Sequence, residues 1–234
     1  ETPNPTEEQI RVGAVVLAPG YQAYRAELSQ EYGLGRYPNV VTALQFERLL
    51  SASGPTSGHV LRPSDGKPAH RIAFLQCVGS RDQSHDYCSA VCCMYAAKEA
   101  VMAKEHDPAT QVHVFMMDMR AFSKGYEAYY QRARRQYGVE YTRCRISALA
   151  EVAETGDLAV RYWSEEAHRP EGSAPTPAAG MREEAFDLVV LSVGMEISEP
   201  VRKLGRDLGI ELDDYGFCHT ALFNPLETSR PGIF

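Results

Sequence analysis

Arg71-Ile-Ala-Phe-Leu-Gln76 is the segment that decides the fold of this protein. It is short and almost wholly apolar, which predicts a buried strand. Residues 89–106 follow with apolar side chains at helical spacing, and residues 112–117 then form a second apolar run. A helix over 126–137 and a strand over 139–143 repeat the pattern. This alternation predicts an α/β domain with a parallel, Rossmann-like sheet and right-handed crossovers.

Two segments of similar form bracket this unit. Val12-Gly-Ala-Val-Val-Leu-Ala-Pro-Gly20 and Asp187-Leu-Val-Val-Leu-Ser-Val-Gly194 each combine an apolar run with a glycine. Both predict a buried strand followed by a tight turn. Residues 168–180 are rich in Pro, Gly, Ala and Ser, which predicts a surface loop. Three further strands are predicted to add an antiparallel β segment: Ala148–Ala153, Leu158–Trp163 and Phe186–Leu191.

The composition is that of a globular protein with no membrane-spanning segment. Of the 234 residues, 44% are hydrophobic and 24% are charged, which is ordinary for a globular domain. A net charge of −7 argues against a nucleic-acid or anionic-membrane surface. No apolar run approaches the roughly 20 residues that a membrane helix needs. The polar start, Glu1 to Glu8, does not resemble a signal peptide, so we expect a cytoplasmic protein without direct membrane insertion.

Four of the six cysteines lie close together in the chain. Ten residues separate Cys77 from Cys88, three separate Cys88 from Cys92, and Cys93 follows directly. A disulfide framework is typical of small secreted chains, so a metal or redox role is favoured here. Four thiolates can hold either a 4Fe–4S cluster or a structural zinc ion.

Local geometry adds to the case for bound metal. On a helix that begins near Ser89, Cys88 and Cys92 would face the same way, with Cys93 rotated by about 100°. The unpaired N–H groups at the start of such a helix would stabilise thiolates, and Arg81 in the preceding loop would do the same.

The spacing alone leaves an iron–sulfur cluster evenly matched against the alternatives. Adjacent cysteines fit a small tetrahedral zinc site less easily than a cubane, whose irons lie several ångströms apart. The alternatives are a disulfide redox pair and zinc, which would make this a zinc-stapled structural or protein-interaction domain. Buried, unligated thiols are the least favoured interpretation. For the isolated Cys144 and Cys218 that interpretation is preferred, because free cysteine packs as a small apolar residue.

Three stretches of sequence resemble a known family. They are Gln76-Cys-Val-Gly-Ser-Arg-Asp82 with Tyr87-Cys-Ser-Ala-Val-Cys-Cys-Met-Tyr-Ala-Ala-Lys98, then Asp118-Met-Arg-Ala-Phe-Ser-Lys-Gly-Tyr-Glu127, and Pro225-Leu-Glu-Thr-Ser-Arg-Pro-Gly-Ile-Phe234. They resemble the A subunit of heterodisulfide reductase and the related flavoprotein subunits of quinone-interacting membrane-bound oxidoreductase complexes. The resemblance implies a thioredoxin-reductase-like fold with one FAD and several 4Fe–4S clusters.

The resemblance also implies roles for individual residues. One cluster lies beside the flavin and maps onto Cys77, Cys88, Cys92 and Cys93; electrons pass through such clusters between flavin and partner subunits. It implies flavin contacts for a second set of residues: Lys98, Ala18, Gly20 and Gly194. No G-x-G-x-x-G stands in the sequence, so only part of an FAD site is expected. Asp118 ends a strand where a dinucleotide domain places its ribose-binding acid, but no NAD(P) site is expected there, because the cysteine segment replaces the phosphate loop.

The same resemblance predicts the organisation of the chain. Residues 1–68 would be the remnant of an FAD-binding domain with a linker, 69–194 a middle domain carrying the cysteines, and 195–234 a return segment. We expect a fragment truncated at both ends, since strand-like segments lie near both termini. The expected partners are other heterodisulfide-reductase-like or membrane redox subunits, with a homodimer possible and no nucleic acid. The fragment would belong to a multi-subunit oxidoreductase.

Overall fold

A computed structural model of the protein describes residues 8–164 and 180–234. Their strands are β1 Gln22–Ala23, β2 Val40–Thr42, β3 Arg71–Val78, β4 Gln111–Met116, β5 Glu140–Arg143, β6 Ile146–Glu151, β7 Leu158–Ser164, β8 Gly180–Phe186, β9 Leu188–Val193 and β10 Met195–Glu196. Their α-helices are α1 Ala43–Leu50, α2 Cys92–His106, α3 Tyr126–Arg135 and α4 Glu199–Asp207, with short 3-10 helices at Ala26–Leu28 and Gln30–Tyr32. None of these helices has the length and apolar character needed to cross a membrane.

The described residues form two compact units. The larger is Ala23–Gly194, and the smaller combines the chain up to Gln22 with Met195–Phe234. The predicted three-part division at residues 68 and 194 stays a prediction. The predicted surface loop at 168–180 lies outside the described residues except for Gly180, which begins β8.

A five-stranded parallel sheet forms the centre of the larger unit, with the strand order β2-β9-β3-β4-β5. Helix α2 connects β3 to β4, and α3 connects β4 to β5. Phe74 of β3 aligns with Val114 of β4 on one side and Val190 of β9 on the other. This confirms the predicted α/β architecture with a parallel, Rossmann-like sheet.

Helices α1, α2 and α3 cover one face of this sheet. Ile72 and Phe74 of β3 are fully buried in the core on this side. Phe46 of α1 meets Phe74 edge to face, with 5.4 Å between the ring centroids. Helix α1 starts where it does because the Thr42 side chain accepts a hydrogen bond from the Gln45 amide, while the Gln45 side chain accepts one from the Thr42 amide.

A three-stranded antiparallel sheet, β6-β7-β8, covers the other face. Leu158, Val160 and Tyr162 of β7 are buried against Leu75 and Phe115 of the parallel sheet. The alternation of buried and exposed residues along β7 is what a strand with one solvated face requires. The predicted antiparallel β segment is therefore confirmed.

The predicted strand 186–191 is divided between the two sheets. Phe186 ends β8 in the antiparallel sheet, and Leu188 begins β9 in the parallel one. Asp187 makes the transition: its Oδ2 accepts hydrogen bonds from the amides of His70 at 2.6 Å and Arg71 at 2.8 Å. The chain can change sheets here because this carboxylate holds it to the start of β3.

The prediction of a buried strand near residues 12–17 is wrong. Val12 and Val16 are 62% and 77% exposed. Val15 forms an isolated parallel bridge with Ile233 instead of joining a longer ladder. A single bridge satisfies backbone groups but supplies no layer against which apolar side chains can be buried.

Candidate metal centre

Cys77 lies near the end of β3 at an irregularity of the sheet. The register between β3 and β9 shifts between Leu75 and Val78, and Cys77 has a φ of +63°. A bulge of this kind re-aims a side chain at the end of a strand. A positive φ at a residue with a Cβ costs about 1–3 kcal/mol and is often found at functional sites. The fold therefore holds Cys77 in a strained but defined orientation.

The loop after Cys77 concentrates further strain. Arg81 and Ala90 have φ values of +57° and +61°. Ser57 is the only other non-glycine residue with positive φ in the described part of the chain. The Arg81 amide donates to the Tyr87 carbonyl at 3.0 Å and closes the loop. Three of the four strained positions thus lie within the cysteine segment.

Helix α2 begins at Cys92 and not near Ser89 as predicted. Cys92 and Cys93 occupy its first turn, whereas Cys88 precedes the helix. The prediction that Cys88 and Cys92 share a helix face is therefore wrong, because the positive φ of Ala90 interrupts the helical path. The Ala90 amide instead donates a hydrogen bond to Cys88 Sγ at 3.4 Å.

The four thiols lie close enough to alter one another's ionisation. Cys77 and Cys92 each interact electrostatically with the other three. Burial, followed by the charge of Cys93, raises the pKa of Cys77 to about 11. The thiol of Cys92 donates to Cys93, which raises the pKa of Cys92 and lowers that of Cys93. A bound cation would displace the protons of such mutually opposed thiols.

Asp118 joins the cysteine loop to the end of β4. Arg81 Nη1 donates to Asp118 Oδ1 at 2.6 Å. Arg120 donates to both carboxylate oxygens, each at 2.9 Å, and these contacts lower the Asp118 pKa. The Cys93 thiol donates to the Asp118 carbonyl at 3.7 Å. Asp118 thus binds two arginines at the position where a dinucleotide domain places its ribose-binding acid, and Arg120 is part of the site.

The donor set fits an iron–sulfur cluster. Cys77, Cys92 and Cys93 are buried, Cys88 is half-buried, and all four are free thiols. A cubane takes one thiolate on each iron, so its ligands need not surround a single point. The described residues contain no group of three His, Cys, Asp or Glu side chains arranged to hold one metal ion.

Comparison with known proteins places this segment in context. No family model matches the chain. The CoB–CoM heterodisulfide reductase iron–sulfur A subunit of Methanocaldococcus jannaschii is 45% identical over 234 residues, which is 98% of this chain and 34% of the relative. The chain is homologous to a segment of this heterodisulfide reductase protein. It spans about a third of the length of such relatives, and the resemblance inferred from the cysteine segment is confirmed.

Two further relatives match equally widely. A CoB–CoM heterodisulfide reductase iron–sulfur subunit of Methanopyrus kandleri is 44% identical over 239 residues, which is 100% of this chain and 34% of the relative. A subunit of the H(2)/formate:CoB–CoM heterodisulfide,ferredoxin reductase of Methanococcus maripaludis is 44% identical over 98% of this chain and 34% of its own length. By these names the relatives are subunits of oxidoreductases.

Lys98 is one of the residues expected to contact the flavin because of the resemblance to heterodisulfide reductase. It lies on α2 and donates to Glu47 Oε1 at 2.8 Å, a contact that raises the Lys98 pKa. Its side chain is half exposed and lines an open groove of about 510 Å³. The groove is also lined by Val91, Met94, Tyr95, Lys124 and Tyr129. The flavin contact of Lys98 stays a prediction.

The other residues for which that likeness implies flavin contacts lie in both units. Gly194 follows β9, and a Cβ there would lie 2.6 Å from the Gly79 carbonyl oxygen. Packing within the larger unit therefore already requires glycine at this position. Ala18 and Gly20 belong to the smaller unit, where Gly20 lines an apolar cavity of about 280 Å³. Their flavin contacts also stay predictions.

Sequence reasoning missed the residues that pack around the cysteine loop. Gly79 has a φ of +69°, and a Cβ there would lie 2.2 Å from the Tyr24 ring. Tyr24 also meets His85 edge to face, with 5.5 Å between centroids. His85 thus takes part in aromatic packing beside the cysteine loop. A glycine two residues after Cys77 was the available signal, but its partner Tyr24 is distant in sequence.

Proposed function

We propose that this chain is the cluster-binding part of a flavin-dependent electron-transfer subunit of the heterodisulfide reductase type. The cysteine segment carries the proposal. Thiols from the end of a strand, a loop and the start of a helix interact electrostatically with one another. Relatives over nearly the whole chain are named iron–sulfur subunits of heterodisulfide reductase. In this proposal Cys77, Cys88, Cys92 and Cys93 bind a 4Fe–4S cluster.

The residues around the thiols are suited to that role. A bound cluster supplies a one-electron carrier, so no general acid, base or nucleophile is required. Burial of Cys77, Cys92 and Cys93 limits the access of water and oxidants to the sulfur atoms. The Ala90 amide donates to Cys88 Sγ, and a hydrogen bond of this kind stabilises negative charge on sulfur.

We propose that the flavin is FAD and that Lys98 faces it from α2. The groove beside Lys98 combines two lysines with aromatic and apolar side chains, which suits a planar ring system that gains negative charge on reduction. We also propose that Ala18, Gly20 and Gly194 contact the FAD in the full-length protein. FAD need not be retained by this chain, which contains no G-x-G-x-x-G.

The electron partners follow from the same proposal. Electrons would pass between FAD and other heterodisulfide-reductase-like or membrane redox subunits, in a cytoplasmic complex with a possible homodimer. One relative carries both heterodisulfide and ferredoxin in its name. These are the first electron carriers to examine for this protein.

Metal analysis of anaerobically prepared protein tests the proposal. We expect about four iron and four sulfide per chain, with broad thiolate-to-iron absorbance near roughly 400 nm. One equivalent of zinc, with no iron and no colour, would refute it and favour the zinc-stapled structural or interaction domain. Preparation in air is not a valid test, because clusters are lost by oxidation.

A further inference from the structure

We infer that Arg81, Asp118 and Arg120 form a positioning triad that holds the cysteine loop against α2 and raises the reduction potential of the bound cluster. The inference rests on the proposed function, since it concerns the same four thiols. From the sequence, Arg81 was expected only to stabilise thiolates, and Asp118 and Arg120 were given no role at the cysteines. The triad is visible only in the tertiary contacts.

The triad connects two cysteines that lie on different elements. Arg81 belongs to the loop after Cys77, and its guanidinium both binds Asp118 and interacts with the Cys77 sulfur. Asp118 follows β4, and its carbonyl oxygen lies 3.7 Å from Cys93 Sγ. The Arg120 amide also donates to Cys93. One set of contacts therefore relates Cys77 on β3 to Cys93 on α2.

The triad also has an uneven charge. Two arginines share one carboxylate, so it carries a net charge of +1 beside the thiols. Reduction adds an electron, and a nearby positive charge stabilises the reduced state. The net charge and hydrogen bonding around an iron–sulfur cluster are the main properties by which a protein sets its potential.

The exposure of the triad separates this role from a purely structural one. The side chains of Arg81, Asp118 and Arg120 are 24%, 34% and 34% exposed. Ion pairs this exposed contribute little to folding stability. If the three side chains only held the loop in place, replacing any one of them would either leave the reduction potential unchanged or shift it in the same direction in every variant.

The decisive measurement is a redox titration followed by electron paramagnetic resonance on anaerobic protein. Arg81→Gln and Arg120→Gln remove positive charge, so the midpoint potential should fall. Asp118→Asn removes negative charge, so the potential should rise. Arg161→Gln breaks an exposed ion pair with Glu183 on the antiparallel sheet and should leave the potential at the wild-type value. The shifts should shrink at high salt, because exposed charges are screened.

Shifts of opposite sign for the arginine and aspartate variants support the triad. Shifts of one sign, or no shift in Arg120→Gln and Asp118→Asn, would overturn it. If Arg81→Gln loses iron, Arg81→Lys should restore iron with a potential near that of the wild type; failure to restore it would also count against the inference. Wild-type protein without a cluster would instead defeat the proposed function, so the two failures are distinguishable.

Discussion

The two faces of the parallel sheet can be compared through one cysteine and one glutamate on each. The cysteine pKa is lowered on the helix side and raised on the antiparallel side, whereas the glutamate pKa is raised on the helix side and lowered on the antiparallel side. On the helix side, the pKa of Cys93 is lowered, chiefly by a hydrogen bond from Cys92. On the antiparallel side, burial raises the pKa of Cys144 to about 12. Burial alone therefore does not make a reactive thiol, because Cys93 differs from Cys144 in having donors around its sulfur.

The carboxyl groups show the reverse arrangement. Glu99 of α2 is 2% exposed, and burial, then the charge of Glu47, raises its pKa to about 8. Its Oε2 has no hydrogen-bond partner among the described residues. Glu184 of β8 has a pKa lowered to about 2 by His113, whose Nδ1 lies 3.7 Å from Oε2, and by the Tyr162 hydroxyl, which donates to Oε1. Local donors again decide which group is charged.

The largest expected effect separates the cysteines of the two faces. Replacing Cys92 or Cys93 with serine should abolish iron binding, because each is expected to bind a different iron. The matched control Cys144→Ser should keep the wild-type iron content. Iron and sulfide analysis after anaerobic preparation measures both. Full iron content in Cys92→Ser and Cys93→Ser would show that the ligands lie elsewhere.

A second comparison asks whether the faces also differ in packing. Phe74 and Leu75 are neighbours on β3, are almost fully buried and belong to opposite cores. Phe74→Ala should lower the free energy of unfolding by about 3–5 kcal/mol and Leu75→Ala by about 2–5 kcal/mol. Denaturant titration measures both, with Leu75→Met as a control that should cost less than about 1.5 kcal/mol. A negligible loss on one face would mean that this face is loosely packed.

Glu99 should make the protein less stable as the pH rises. Its folded pKa of about 8 lies above its usual value of 4.5, so the folded state binds more protons between these values. Stability should therefore fall as the pH rises from about 4.5 to about 8. Glu99→Gln should remove this fall, as measured by thermal unfolding across that range. An unchanged pH profile would show that Glu99 ionises normally.

Glu184 should produce a smaller effect of opposite sign in a separate pH window. Its folded pKa of about 2 lies below 4.5, so its contribution is complete above about 4.5 and is lost as the pH falls towards 2. Glu184→Gln should flatten this part of the profile. Glu183→Gln, an exposed neighbour on β8, is the control and should keep the wild-type slope. Loss of the slope in both variants would point to a general acid effect.

Much of the fold could be predicted because local patterns repeat. The apolar runs at 71–76 and 112–117 and the helical spacing between them indicated the parallel sheet. The run at 12–17 has the same character but forms only a bridge, and among the described residues Val12 and Val16 stay exposed. The start of α2 was also missed, because the positive φ of Ala90 is imposed by the loop and is not visible in residue preference.

The sequence by itself determined which atoms are available: four thiols at a family-specific spacing, at the end of a strand and before a helix. Only the tertiary structure decided how they are surrounded. Asp118 lies 37 residues from Arg81 in the chain, and Tyr24 lies far before Gly79, so neither contact follows from local pattern. The physical reason is that parallel strands bring their carboxyl ends to one edge of the sheet, where loops distant in sequence meet. The charge state of each cysteine and carboxyl group depends on the contacts between these loops.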